Sequence, residues 1–321
     1  MNYFIQYRCK TKICNNLHSG FLYFGVLLKK IFFMTAMVVM FTSCRDLVDA
    51  DVPDFPPVPV LNALLVKGQP IEAHVSIASR LDTMQLQGIS NAVLELYKDN
   101  EFLEMMHHSE DGWFVSNHNA EAGKTYSFHL SIEGYETVKA QCKIPSPAAL
   151  LSYEHISIAG KDEEGLTYPS ISFTFENQLE QELFFHARIR LFQSDDERDA
   201  DIINIIDPVL LNEGIPLTVF SNEIINGYSY TMLINYLTGS SGSDGSGGLV
   251  TILMPLILEL RSVSKEYYLF ARQKYLYDLG RFPEFNINAP TAFPIFSNVE
   301  GGYGIVTGYS NVATDTIFPT Y

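Results

Sequence analysis

The sequence predicts a mainly β protein in which an N-terminal immunoglobulin-like β-sandwich is followed by a larger β-rich domain that carries one helix. Two observations predict this fold. From about residue 60 onward, short segments of alternating polar and apolar residues are separated by Gly, Asp and Asn turns. The chain also has 321 residues, of which 47% are hydrophobic and 13% aromatic, so it can build one large core or two ordinary ones.

The first 43 residues predict a lipoprotein signal peptide. They contain five basic residues and no acidic residue, and an apolar run at 31–41 follows Lys29 and Lys30. This run is shorter than the roughly 20 residues that span a bilayer, which favours a cleaved export signal over a membrane anchor. The sequence FTSC at 41–44 resembles a bacterial lipobox and predicts lipid attachment, palmitate included, at Cys44. An ordinary signal peptide is the alternative, and the true start codon stays open.

Residues 44–59 predict a tether between the lipid and the folded body. After Cys44 they contain four Asp and four Pro residues, and dense proline favours an extended, semi-rigid spacer. Acidic residues directly after a lipidated cysteine also resemble signals that send lipoproteins to the surface of some Gram-negative bacteria. A solvated linker explains the same residues equally well.

The net charge excludes some partners. The 43 residues before Cys44 carry five of the 21 basic and none of the 37 acidic side chains, which leaves 16 basic side chains and a formal charge of −21 from Cys44 onward. Such a surface would repel nucleic-acid phosphates. Four cysteines are too few for a disulfide scaffold, and only Cys142 would accompany Cys44 in the mature chain.

Residues 60–147 form the predicted sandwich. Seven segments have the alternation and the turn spacing of short strands. They are Val58–Val66, Ile71–Ser79, Ala92–Lys98, Phe102–His108, Trp113–Asn117, Thr125–Ile132 and Glu136–Ile144. Pro145 and Pro147 close the unit and place the predicted domain boundary near residue 147.

Residues 148–321 form the predicted second domain. Its predicted strands are Leu166–Glu176, Glu182–Phe192, Leu217–Phe220, Tyr228–Tyr236 and Leu249–Leu260. Pro255 predicts an edge position or a bulge in the last strand, because proline donates no ladder hydrogen bond. One helix is predicted over 265–279, with Ser264 as its cap and Gly280 after its end. Tyr268, Ala271, Tyr275 and Leu279 recur at helical spacing and predict a stripe that packs into the core.

No metal ligand is predicted. His107 and His108 are adjacent on a predicted strand and would point to opposite faces, so with His118 they do not form a plausible zinc set. The segment Asp195–Asp201 has five acidic residues in seven. It lacks the glycine and terminal Glu of an EF-hand, which favours a solvated surface loop and leaves calcium binding as an open alternative.

No catalytic residue and no cofactor is predicted. The glycine-rich segment Gly239–Gly248 has no following Lys-Ser/Thr and is interpreted as a flexible hairpin loop, not a phosphate loop. Cys142 lies in a predicted strand and is interpreted as a buried, small apolar residue. The common hydrolase and metalloprotease signatures do not occur in the sequence.

Four segments together resemble the domain of unknown function 4249 family of Gram-negative outer-membrane lipoproteins. After the lipobox and tether these are PVPVLNALLVKGQPIEAHVSIASRLDT, NAVLELYKDNEFLE, AEAGKTYSFHLSIEGYETVKA and SNVEGGYGIVTGYS. The resemblance covers nearly all of 44–321, and Ser297–Gly304 is its most distinctive part. The glycines there predict a tight turn or a close backbone approach, for packing or for a partner.

The resemblance implies an outer-membrane lipoprotein, often encoded beside a TonB-dependent transporter, and it transfers no active-site residues. We therefore expect a non-catalytic accessory or ligand-binding partner of such a transporter, held in outer-membrane lipid through Cys44. A structural or adhesive cell-surface module is the alternative, and a hydrolase is a distant third. The ligand, the oligomeric state and the side of the membrane that the body faces stay open.

Overall fold

The computed structural model describes residues 56–78, 87–193, 196–243, 245, 247–280 and 295–321. Contacts divide the chain into Met1–Asp54 and Phe55–Tyr321, and all described residues belong to the second, compact unit. The predicted signal peptide, Cys44 and most of the predicted tether lie outside the described residues. Within the described residues, none of the helices has the length and apolar character needed to cross a membrane.

Strands dominate the described residues. They are β1 (Val58–Val66), β2 (Pro70–Ala78), β3 (Gln87–Gly88), β4 (Val93–Lys98), β5 (Glu101–Met105), β6 (His107–His108), β7 (Trp113–Asn119), β8 (Thr125–Ser131), β9 (Val138–Lys143), β10 (Leu150–Lys161), β11 (Thr167–Glu176), β12 (Phe184–Gln193), β13 (Asp196–Asp199), β14 (Asp201–Ile202), β15 (Val219–Ser221), β16 (Ser229–Leu237), β17 (Ser241–Ser243), β18 (Leu249–Thr251), β19 (Leu256–Val263) and β20 (Tyr303–Ala313). Two helices, α1 (Pro208–Glu213) and α2 (Lys265–Gly280), accompany them.

One large sheet backs two smaller ones. The ten-stranded sheet has the order β13-β12-β19-β20-β1-β2-β7-β6, with β15 beside β12 and β3 beside β2. The smaller sheets have the orders β5-β4-β8-β9 and β14-β16-β11-β18-β17, with β10 beside β11. One hydrophobic core joins the large sheet to the four-stranded sheet, and a second core joins it to the six-stranded sheet. The prediction of a mainly β, sandwich-type protein is confirmed.

The last strand joins the two cores. β20 pairs in parallel with β1 and antiparallel with β19, so it lies in the middle of the large sheet. Its Val306 belongs to the first core, and its Val312 packs against the second. The first core otherwise draws mainly on residues 61–144 and the second on residues 171–260. The domain boundary near residue 147 stays a prediction, since the cores change there while the large sheet continues through both.

The Ser297–Gly304 segment packs against the first strand and the four-stranded sheet. A Cβ on Gly304, which has φ +122°, would lie 2.0 Å from the carbonyl oxygen of Leu61. Asn298 donates to the carbonyl oxygens of Gln141 (3.0 Å) and Val306 (2.8 Å) and accepts from the Val306 amide (2.9 Å). Both expectations for its glycines are met: Gly301, with φ +75°, lies in a turn, and Gly304 closely approaches the backbone of Leu61.

Two predicted strands are each divided. Phe102–His108 forms β5 and β6 in different sheets, because the chain crosses between layers at the buried Met106. Leu249–Leu260 forms β18 and β19, and Pro255 stands in the break between them. The expected edge or bulge at Pro255 is wrong: the proline precedes β19, which lies inside the large sheet, and its carbonyl oxygen still accepts a hydrogen bond from the Phe192 amide at 2.9 Å.

The acidic segment was expected to be a loop, and this is wrong for most of its length. Residues 196–199 form β13, which pairs with β12. Arg188 contacts Asp199 at 2.7 Å and Arg190 contacts Glu197 at 2.7 Å, so the acidic residues are matched to the arginines of the neighbouring strand. Asp195 lies outside the described residues. Within the described part of the chain, no group of three or more His, Cys, Asp or Glu side chains could hold a metal ion.

Candidate ligand-binding groove

A groove lies between α2 and the outer face of the ten-stranded sheet. Its cavity volume is about 710 Å³, and apolar side chains dominate its lining. Aromatic residues contribute from both walls: Trp113 from β7, and Tyr267, Phe270 and Tyr275 from α2. Small-molecule sites are commonly concave, apolar and about 300–1,000 Å³ in volume. The groove is the candidate functional site.

The floor of the groove is a row of outward-facing residues on neighbouring strands. In the parallel pair of β1 and β20, Leu64 lies opposite Thr307 and Asn62 opposite Ile305. All four line the groove. Alternation explains this face, because the intervening residues of β1 point inward to the core. Leu64 is 49% exposed, so its side chain is open to a ligand in the groove.

Ser264 fixes the start of α2. Its Oγ accepts a hydrogen bond from the Tyr267 amide (3.2 Å) and bonds to the Thr307 hydroxyl (3.0 Å). The Ser264 amide donates to the carbonyl oxygen of Gly308 (2.9 Å). The predicted helix cap is therefore confirmed, and it also ties α2 to β20. The helix extends through Gly280, which was expected to follow its end.

Glu213 fixes the middle of α2. This buried carboxylate lies at the end of α1, accepts a hydrogen bond from the Ser221 amide (2.7 Å) and from the Tyr268 hydroxyl (2.6 Å), and forms an ion pair with Arg272. Burial, together with the hydrogen bond to Glu213, raises the pKa of Tyr268 to about 12. α1 and α2 are thus joined by charge-assisted hydrogen bonds, and the groove wall is held in place.

The aromatic stripe of α2 does not pack into the core as expected. No described residue of the helix is buried. Tyr268 packs on Phe184, with ring centroids 4.7 Å apart, but Ala271 and Tyr275 line the groove and Leu279 is 46% exposed. Tyr267 and Tyr268 in the first turn pack against sheet residues, whereas Ala271 and Tyr275 further along the helix face the groove.

His186 is the polar group of the groove that burial perturbs most. Its Nδ1 is 2.8 Å from the Tyr267 hydroxyl. Burial, reinforced by the nearby Arg261 and Arg188 guanidinium groups, lowers the pKa of His186 to about 3. Burial also raises the pKa of Tyr267. Both side chains are neutral at physiological pH, so they offer hydrogen-bonding groups without charge.

A charge network around Glu259 lies close to His186. The buried carboxylate of Glu259 contacts Arg261 at 2.9 Å, Arg188 at 3.4 Å and Arg190 at 3.6 Å, and it accepts from Asn311 at 3.0 Å. The guanidinium of Arg261 also lies over the Tyr309 ring, 4.3 Å from its centroid. A buried ion of this kind needs all its partners, which indicates a structural role.

The residues considered from the sequence lie away from the groove. Cys142 is buried in β9, and burial raises the pKa of its thiol to about 12, in keeping with the interpretation as an apolar core residue. His107 and His108 are exposed on β6, and His118 is exposed on β7. Residues 241–243 and 249–251 pair as β17 and β18, which confirms the hairpin. Cys44 lies outside the described residues and stays the predicted lipid site.

Sequence reasoning missed the groove because its walls come from six strands and one helix. Trp113, Glu72 and His186 are far apart in the chain, and only the order and register of strands in the large sheet bring them to one groove. One signal was present. Trp113 is the only tryptophan, and in the alternating strand that it begins it occupies an outward position.

The chain matches the model of a protein family. The model of the family described as a domain of unknown function, DUF4249, matches residues 45–315. A search of curated proteins finds no match to the chain. The matched range includes every strand and both helices described above. The chain therefore belongs to the DUF4249 family.

Proposed function

We propose that the protein is a non-catalytic, ligand-binding accessory of a TonB-dependent transporter, held at the outer membrane by lipid on Cys44. The observation that carries the proposal is the groove under α2. A helix of 16 residues has no buried residue, yet its start and middle are fixed by Ser264 and Glu213. A fixed helix whose apolar side faces a cavity is suited to hold a ligand there.

The polar groups of the groove favour binding over catalysis. His186 is bonded to Tyr267, and Lys274 is paired with Asp278 one turn further along α2. Thr307, on β20, also lines the groove, and its hydroxyl is hydrogen-bonded to Ser264. These side chains can therefore shape the groove and orient a ligand in it. None of these contacts pairs a nucleophile with a general base.

The anchor, the tether and the family support the location. The lipobox-like sequence ends at Cys44, and an acidic, proline-rich segment separates it from β1. Two or more acyl chains give stable membrane anchoring. A body with the charge of this one is repelled by anionic lipid, so the tether would hold the groove in the aqueous phase.

A cellular test separates the groove from the anchor. Ala271 lines the groove, so Ala271→Trp should fill it, slow uptake of the affected nutrient to the rate of a deletion strain, and leave copurification with the transporter unchanged. Gln273→Trp, on the same helix but outside the lining, is the matched control and should take up the nutrient normally. Normal uptake of every tested nutrient by the deletion strain would contradict the proposal.

One observation favours the structural or adhesive alternative. The twelve-residue β10 pairs only with β11 among the described strands, and its Leu151 and Ile158 are largely exposed. Long apolar edge strands recruit further strands. If this edge serves attachment, Ile158→Lys should reduce surface adhesion while Ala271→Trp leaves it unchanged.

A further inference from the structure

The charges around the groove are unequally paired. Arg261 is paired with Glu259, and Lys274 is paired with Asp278. Glu72 also lines the groove, on the outward face of β2, and it forms no ion pair with any of the described residues. The lining therefore presents one carboxylate whose charge no described cation balances. A ligand group with the opposite charge is the complement of such a site.

An aromatic ring lies beside this carboxylate. Glu72 is opposite Val115 and His74 is opposite Trp113 in the antiparallel pair of β2 and β7, so Trp113 is the diagonal neighbour of Glu72 on the same face. The rings of Trp113 and His74 lie in a T-shaped arrangement, with centroids 5.1 Å apart, and 44% of Trp113 remains exposed. An exposed indole beside a carboxylate attracts organic cations through its ring as well as through the charge.

The rest of the groove is mainly apolar, and the charges of Lys274 and Asp278 in its lining are paired with each other. Leu64, Ile305, Phe270 and Tyr275 provide hydrocarbon and ring surface. His186 adds no positive charge, since it is neutral at physiological pH. The cavity of about 710 Å³ fits a small molecule and not an extended protein face.

Resting on the proposed function, we infer that the groove takes a small amphiphilic organic cation. Its cationic head would lie between Glu72 and the Trp113 ring, and its apolar chain or ring would extend along Leu64 and Ile305 under α2. Glu72 is exposed, so the cationic head would keep part of its contact with water, while the apolar part would remove the exposed Leu64 side chain from water.

Fluorescence of Trp113 tests this inference directly, because the chain has one tryptophan and it lines the groove. The purified full chain carrying Cys44→Ser, which cannot be acylated, is titrated with octyltrimethylammonium, 1-octanol and octanoate below their micellar concentrations. We expect the cation to bind about fivefold more tightly than the alcohol, because it gains one exposed ion pair with Glu72 and one contact with the Trp113 ring. The anion should bind most weakly, because Glu72 repels it.

Two variants separate the head from the chain. Glu72→Gln should remove the preference for octyltrimethylammonium and leave 1-octanol binding unchanged, whereas Glu101→Gln, an exposed carboxylate on β5, should change neither. Ala271→Trp should weaken binding of all three probes, and because it adds a second tryptophan its affinities are measured by calorimetry. Thermal unfolding of each variant confirms that it is folded, and calorimetric titration repeats the affinities without relying on fluorescence.

The outcomes distinguish the inference from the proposed function. Equal binding of cation and alcohol, or preferred binding of octanoate, would overturn the cationic head and leave a ligand-binding groove in place. If Ala271→Trp has no effect on any probe, or if no probe binds, both the inference and the groove as a binding site are overturned. A cation preference that survives Glu72→Gln would also overturn the inference.

Discussion

At residue scale, single side chains and single glycines hold the groove and the layers in position. Gly304 is where β20 approaches β1 most closely, and Glu213 is where α1 meets α2. Neither residue touches the cavity. Both residues hold in place the strands and helices that line the cavity. Substituting them should therefore change the free energy of unfolding and not remove a direct contact with a ligand.

Gly304→Ala should lower the free energy of unfolding by about 3 kcal/mol or more, because a Cβ there would overlap the Leu61 carbonyl oxygen. Gly134→Ala is the matched control. Gly134 also has positive φ (+85°), but no atom lies within 4 Å of its would-be Cβ, so only the backbone strain of about 1 kcal/mol is expected. Urea unfolding measures both values, and equal losses would contradict the close approach.

Glu213→Gln should lower the free energy of unfolding by about 2 kcal/mol. The substitution removes a buried carboxylate that accepts a hydrogen bond from Tyr268 and pairs with Arg272, and it leaves these partners in place. The exposed pair of Glu182 and Lys265, 3.0 Å apart, provides the control. Glu182→Gln should change stability by about 0.5 kcal/mol or less, because water screens that pair. A similar small loss for Glu213→Gln would show that α2 is held by other contacts.

His186 should make stability depend on pH. Its pKa is about 3 in the folded chain against 6.5 for the free side chain, so between these values the unfolded chain binds the extra proton. Its contribution is complete above about pH 6.5 and is lost as pH falls toward 3, by up to about 1.4 kcal/mol per pH unit. The stability of His186→Asn should therefore fall less between pH 7 and pH 5. His118→Gln, at an exposed histidine, should follow the parent protein.

At element scale, the start of α2 is the contact most open to test. Ser264→Ala removes the acceptor for the Tyr267 amide and the bond to Thr307, and it should cost about 1–2 kcal/mol. Circular dichroism and urea unfolding measure the loss. Ser264→Thr keeps an acceptor oxygen and should recover part of it. If Ser264→Ala unfolds like the parent protein, the helix is positioned from α1 alone.

The elements that the sequence predicts well are those with one buried face. In β1, β4 and β8 buried and more exposed positions alternate, and the segments predicted there begin and end within a residue of the observed strands. Such a pattern arises directly from the two faces of a sheet. The helix is predicted from its cap residue and from the helical spacing of apolar residues after it. Its predicted ends also lie within one residue of the ends of α2.

The elements that it misses lack that pattern for physical reasons. β10 is an edge strand with most residues exposed, so no alternation marks it, and β20 carries glycines that approach another backbone. α1 has only six residues. The groove is missed because cross-strand register, which a single sequence does not contain, brings Glu72 and Trp113 together.

At the scale of the whole molecule, the shared sheet should make the two cores unfold together. Calorimetry should give one transition whose van't Hoff and calorimetric enthalpies agree. Leu94→Ala in the first core and Leu258→Ala in the second remove equivalent buried side chains, and each should lower stability by about 2–5 kcal/mol and move that same transition. Two transitions, each moved by one variant, would instead show two domains divided near residue 147.

The central position of β20 also sets the order in which the chain can fold. Ile305 donates to Asn62, 243 positions earlier, so the middle of the large sheet is completed only when nearly the whole polypeptide is present. Contacts of such long sequence separation slow folding. Until β20 has been synthesised and, in the proposed lipoprotein, exported, β1 lacks this pairing partner and the apolar face of the large sheet would be exposed. Insertion of the eleven-residue β20 is therefore expected to be a late step of folding. Until β20 inserts, the middle of the large sheet is incomplete and the groove lacks part of its floor.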